Sequence, residues 1–350
     1  MLQSSVIIHE TLRLRRMPKY LFLAIIVLLT ACGGGRHKPD VSNIKVDLRL
    51  ERFERDFFKI DTNNIRGGLV YLRNAYPDFY PIYLQNILQV NPADTASFAL
   101  IRSIISGYRP INDSIQKKYK DLGWLKDDLT QSFKYVKHYY PDYFVPRVIT
   151  FIGTFDAPGA ILSPQYLGIG LHQFAGKHFS VYQTEAIAQM YPSYISQRFD
   201  KEYITAGAMK AVVDDIYPDQ SVGNPLIEQM VEKGKQWYLL DHFLPDAPDS
   251  VKTGFSGVQL DWVEENEGNT WGYIIKNENL YSIEPVTIQT YLGEAPFTQG
   301  FPETSPGNIG QWVGWRIVQK FADEHPKLTL QQILAKPAKE IFEQSKYKPK

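Results

Sequence analysis

The chain has 350 residues, 38 basic and 38 acidic side chains, and a formal net charge of zero. It lacks the basic surplus of a nucleic-acid binder, so no nucleic-acid partner is expected. Hydrophobic residues at 44% and charged residues at 22% give an ordinary globular balance, and the single cysteine rules out internal disulfides, so the fold must hold by packing.

The N-terminus reads as an export signal. Arg13, Arg15, Arg16 and Lys19 precede an apolar run from Leu21 to Ala31. That run is about 11 residues, short of the roughly 20 that span a bilayer. It ends in Leu29-Thr30-Ala31-Cys32, which resembles a bacterial lipobox, where the peptide is cut before the cysteine and the thiol carries lipid. Residues 1–32 are therefore expected to be a lipoprotein signal peptide, with Met17 a second candidate start that would leave 1–16 outside the protein. Residues 33–43, polar and rich in Gly and Pro, read as a flexible tether. No acidic run follows Cys32, which points to a domain facing the periplasm and leaves inner and outer membrane open.

Residues 44–350 are expected to form one globular domain. Val46 to Phe53 alternates and predicts a half-buried strand. Helices are predicted over Asn64–Asn74, Leu84–Val90, Thr95–Tyr108 and Ile111–Tyr140, the last broken near Gly123. The β-branched run Arg147–Ile152 predicts a central strand, followed by strands at 159–163 and 166–172. Beyond Gln183 the pattern is helical: Thr184–Met190, Pro192–Gln197, Ile204–Tyr217, Pro225–Leu244, Ser256–Lys276, Ile309–Glu324, Leu330–Lys336 and Pro337–Gln344. Thr329 and Gln332 make a capping box. The fold class is thus α+β, a mostly helical single domain around a small sheet.

Several motifs, in order, carry a resemblance. They are Val46–Phe53, Gly168-Ile-Gly-Leu171, Asp261-Trp-Val-Glu-Glu-Asn-Glu267, Trp271, Asn279-Leu-Tyr-Ser282, Ser305-Pro-Gly-Asn-Ile-Gly-Gln-Trp-Val-Gly-Trp-Arg-Ile-Val318 and Tyr347-Lys-Pro-Lys350. Together they resemble the GldB family of gliding-motility lipoproteins of Bacteroidetes. The resemblance implies a lipid-anchored envelope protein needed for gliding and the associated secretion system, with no settled biochemical activity. Its signature residues here are Trp262, Glu264, Glu265, Gly310, Trp312, Gly314 and Trp315. The family in turn resembles zincin-like zinc proteases.

Zincin chemistry needs two histidines one helical turn apart with a glutamate beside the first. The histidines are His9, His37, His138, His172, His178, His242 and His325, and no pair stands at i, i+4. Residues Ile204–Asp215, where the motif would fall, offer no ligand on the apolar face. His172 and His178 with Asp214 or Asp215 match no common metal spacing and read as surface or partly buried imidazoles. His138 reads as helix packing. Ser180, Ser193 and Ser256 lack a nucleophile elbow, and Gly254-Phe-Ser-Gly257 reads as a helix-capping turn. Asp261, Glu264 and Glu265 share one helix side near a predicted N-terminus, where the dipole favours acids. Asn308 is expected to cap a helix whose Ile309, Trp312, Val313, Ile317 and Phe321 face the core. Gly310 and Gly314 would admit a second backbone, and Trp262 would face inward.

The expectation is a protein without cofactor, metal or enzymatic activity, tied to the membrane by palmitate-type acyl chains on Cys32 and binding other envelope proteins of the gliding and secretion machinery. The aromatic turns Tyr76–Tyr83 and Tyr139–Phe144 are candidate partner surfaces. The alternative is a hydrolase or degenerate zincin-like peptidase that keeps a peptide-binding cleft between the sheet edge and the Ile204–Tyr217 helix.

Overall fold

Four short strands organise the domain: β1 (Leu50–Arg52), β2 (Arg147–Phe151), β3 (Ala160–Leu162) and β4 (Tyr166–Gly170), in the order β1-β2-β4-β3. The computed structural model describes residues 38–350 apart from 92, 93 and 95. The export signal, Cys32 and the first part of the tether lie outside the described residues. β2 runs parallel to β1 and β4, with Thr150 opposite Arg52 and Ile169, while β3 is antiparallel to β4. All five residues of β4 are buried, as expected of a strand covered on both faces. Helices make up 56% of the described residues, and residues Val41–Lys350 pack as one unit, a mostly helical α+β domain.

The first predicted strand is shorter than its alternation implied. Only Leu50–Arg52 pair with β2, and the chain turns into helix α1 (Phe53–Phe58). Leu48 is buried without a ladder partner, which accounts for the alternation. Phe53 and Phe57, one turn apart, stack at 6.1 Å, and Phe53 meets Tyr76, Phe79 and Tyr83 edge-on. Burying these rings favours a helix over continued extension.

Helices α2 (Ile65–Ala75, capped by Asn64), α3 (Ser97–Gly107), α4 (Arg109–Lys118) and α5 (Gly123–Tyr139) fill the first half. The helix expected at Leu84–Val90 is instead one π turn, Tyr83–Ile87, which lets the Tyr83 hydroxyl donate to the Ile152 carbonyl at 2.8 Å. In the second half come α6 (Glu185–Met190), α7 (Tyr203–Ile216), α8 (Leu226–Phe243), α9 (Asp249–Thr253), α10 (Gly257–Glu265), α11 (Glu267–Asn277), α12 (Pro285–Leu292), α13 (Ile309–Glu324), α14 (Leu330–Leu334) and α15 (Ala338–Ser345).

Two local expectations are corrected. The helix predicted over Ser256–Lys276 is two helices, broken at Asn266, whose side chain donates to the Trp262 carbonyl at 2.9 Å. Glu264 and Glu265 therefore end α10 rather than begin a helix, and the dipole argument applies only to Glu267, in the first turn of α11. Asn308 precedes α13 in a left-handed conformation, φ 44°, and its side chain makes no cap. The turn before it is pinned elsewhere: the Thr298 N–H and hydroxyl both donate to the Pro306 carbonyl.

Candidate functional site

Four of the signature residues, Gly310, Trp312, Gly314 and Trp315, lie on α13, which crosses α8 at Gly314. A methyl group at Gly314 would overlap the Met230 carbonyl, and one at Gly234 would overlap the Gly314 backbone. The two helices meet backbone to backbone, which only glycine at both positions permits. A methyl at Gly310 would press on the Tyr291 carbonyl of α12 at 2.9 Å. Trp312 and Trp315 are buried beside the crossing, with Ile309, Val313, Ile317 and Phe321. Trp262 is half-buried against Phe301, while Glu264 and Glu265 are exposed.

Polar groups at the crossing are consumed by one another. Asp241 accepts from Trp315 Nε1 at 2.8 Å and from Lys252 Nζ at 2.7 Å, and Lys252 also reaches Asp249 at 2.7 Å. Burial opposes the Lys252 charge, but the two carboxylates outweigh it and hold its pKa above the usual lysine value. On the outer side, Arg316 grips both Glu267 oxygens at 3.0 and 3.3 Å, and the Tyr347 hydroxyl donates to the same carboxylate at 2.6 Å. Burial first, and the Glu267 hydrogen bond second, push the Tyr347 pKa up. These contacts fasten the segment after α15 onto α11 and α13.

The histidines do not converge. His172 is fully buried, not partly exposed as expected, and it accepts from the Gly153 N–H through Nδ1 and faces the Ala157 carbonyl through Nε2, both at 3.2 Å. These partners require the neutral tautomer with hydrogen on Nε2, and burial lowers the pKa to about 4. His178 is exposed. Asp214 accepts from Gln236 at the other end of α7. His138 is exposed and meets the Tyr139 ring edge-on at 4.7 Å. Ser256 caps α10 in a reciprocal capping box with Gln259. Among the described residues no group of three or more His, Cys, Asp or Glu is placed to hold a metal.

A cleft of about 650 Å³ opens between α5, the start of α7 and the segment joining α8 to α9. Tyr135 and Ser132 on α5, Ala206 on α7, and Phe243 and Leu244 form its buried floor. Pro245, Ala247, Pro248 and Val251 make one wall, and Trp124 stands opposite with Lys201 Nζ 4.2 Å above its ring. Exposed Asp128, Glu202 and Asp246 complete the rim. Desolvation raises the Asp128 pKa, with Lys201 opposing. The cleft does not lie along the sheet edge, because α7 packs directly on β3. The Tyr76–Tyr83 turn is interior, with Tyr76, Phe79, Tyr80 and Tyr83 all buried, so it is not a partner surface. Of the aromatic residues in the second turn, Phe144 alone is exposed, at 70%. The cleft residues carried no motif; the readable trace was Leu244-Pro-Asp-Ala-Pro248, a proline-bounded link between two helices.

Residues 34–349 match the model of the family described as gliding motility protein GldB. The chain belongs to the GldB family. No curated protein and no solved structure matches it. The match covers nearly all of the chain after Cys32 and identifies a gliding-motility lipoprotein. GldB lipoproteins are not a known family of enzymes and are associated with a membrane, and no described helix is long and apolar enough to cross one.

Proposed function

We propose that this GldB-family protein is a non-enzymatic envelope component. Lipid on Cys32 holds it at a bilayer, and the domain supports gliding and its associated secretion by seating an extended segment of another machinery protein in the α5/α7/α8 cleft. In this reading residues 1–31 are removed, Cys32 becomes the acylated first residue, the tether runs from residue 33 to the start of the packed unit at Val41, the domain faces the periplasm, and nothing binds as a cofactor. Acyl chains suit the tie, since each buried CH₂ contributes roughly 0.8 kcal/mol and two chains anchor stably.

The observation that carries the docking role is the chemistry of the cleft. Its floor is apolar and aromatic, the composition of interface centres, and its rim is charged. The rim carries three carboxylates and one lysine, whose ammonium rests on Trp124. The complementary occupant is a peptide segment with apolar side chains flanked by Lys or Arg. The α13 signature residues Trp312, Gly314 and Trp315, by contrast, are used in packing at the α8–α13 crossing.

Ala247→Trp, at a half-buried wall position, fills the cleft from its loop side. Cells carrying it are expected to stop gliding while the protein accumulates normally and melts at the unchanged temperature. Normal gliding with the cleft filled would refute the docking role.

A further inference from the structure

A second concavity, of about 450 Å³, is lined by Arg55, Phe58, Lys59, Arg109, Asn112, Gln116 and Lys120. No acidic residue lines it. We propose that it is a binding site for a phosphate-type anion, distinct from the docking cleft and independent of it.

The argument begins with Arg55, on α1 and half-buried. Its Nε donates to Gln116 Oε1 and its Nη2 to the Lys120 carbonyl, both at 2.8 Å. Both acceptors are neutral. They fix the guanidinium plane and leave its charge uncompensated. Gln116 is itself held, donating to Asn112 Oδ1 at 3.2 Å, and Asn112 is buried. The support is therefore built in two layers from α4, while of the carboxylates nearby Asp56 accepts from Tyr76 at 2.7 Å and Asp113 accepts from Asn112 at 3.3 Å.

Lys59, at the end of α1, and Arg109 and Lys120, at the two ends of α4, bring three more cations to the same concavity. Among the described residues none of these four forms an ion pair. Several cations elsewhere are matched: Lys118 with Asp200, Arg147 with Glu51 and Asp78, Arg198 with Glu294, Lys233 with Asp219, Lys235 with Glu232 and Arg316 with Glu267. In a chain of zero net charge, four unmatched cations around one hollow are a local surplus. A concave wall of one sign focuses its field on whatever enters. A fixed guanidinium beside mobile ammonium groups suits a phosphate, which takes the fork on two oxygens and the lysines as point charges. Buried Phe58 closes one side and limits solvent screening there. The phosphate could belong to a lipid headgroup of the anchoring bilayer or to a free phosphate compound.

The test titrates the full chain, in nonionic detergent, with inorganic phosphate, glycerophosphoglycerol and glycerophosphocholine, read by calorimetry at fixed ionic strength. Saturable binding of phosphate or glycerophosphoglycerol is expected, weakening as sodium chloride is raised. Tighter binding of glycerophosphoglycerol identifies an anionic headgroup as the source, and tighter binding of inorganic phosphate identifies a soluble compound. The Lys59→Gln/Arg109→Gln/Lys120→Gln variant changes only exposed side chains, leaves Arg55 and its supports intact, and should melt as the parent does. It is expected to bind about tenfold more weakly. Absence of saturable binding, or equal affinity in the variant, overturns the proposal.

Discussion

Protonating His172 would put a second N–H against the Gly153 N–H that its Nδ1 now accepts, inside a fully buried site. Burial therefore depresses the pKa from 6.5 to about 4 in the folded chain. The unfolded chain binds the proton first, so the stability tied to neutral His172 is complete above about pH 6.5 and is lost as pH falls towards 4. Across that window the loss runs at about 1.4 kcal/mol per pH unit from this residue. His172→Gln, which keeps an acceptor and a donor but does not titrate, is expected to flatten that part of the stability–pH curve in urea titrations. An unchanged slope would assign the loss to other groups. The histidine itself was visible in the sequence, but its burial was not, because nothing local marks that Gly153 and Ala157 fold over it.

The α8–α13 crossing is the tightest joint between elements. Gly314→Ala drives a methyl into the Met230 carbonyl with backbone on both sides, so relief requires the helices to separate. A cost of about 3 kcal/mol is expected, at the upper end for overpacked sites, seen as a lower urea midpoint at unchanged slope. Gly207→Ala on α7 meets open space and serves as the matched control. Long elements were readable where an apolar face repeats, as in α13, or where β-branched residues run together, as in β2. The Thr329 capping box was readable too, because its chemistry is local. Three of the helices numbered above were missed. α1 and α9 are six and five residues, too short to show a period. α12 exposes Val286 at 78% and buries only Tyr291, so it has no stripe to read. The break at Asn266 was hidden because the apolar spacing runs through it.

At the scale of the whole molecule, the family and the fold class were legible, and the cleft was not. Its walls come from α5, α7 and the α8–α9 link, which are far apart in the chain and brought together only by packing. If lipid on Cys32 sets the address, cells fed radiolabelled palmitate should yield labelled protein, and Cys32→Ser should abolish the label and shift the protein out of the membrane fraction. Label that persists in the variant would place the acyl chain elsewhere. The docking role is tested most directly by a photo-crosslinking amino acid placed at exposed Gln131 on the cleft rim, with exposed Lys339 on α15 as control, in gliding cells. The account predicts a discrete higher-mass adduct with another envelope protein from residue 131 and none from residue 339. No adduct from residue 131, or the same adduct from both positions, would contradict it.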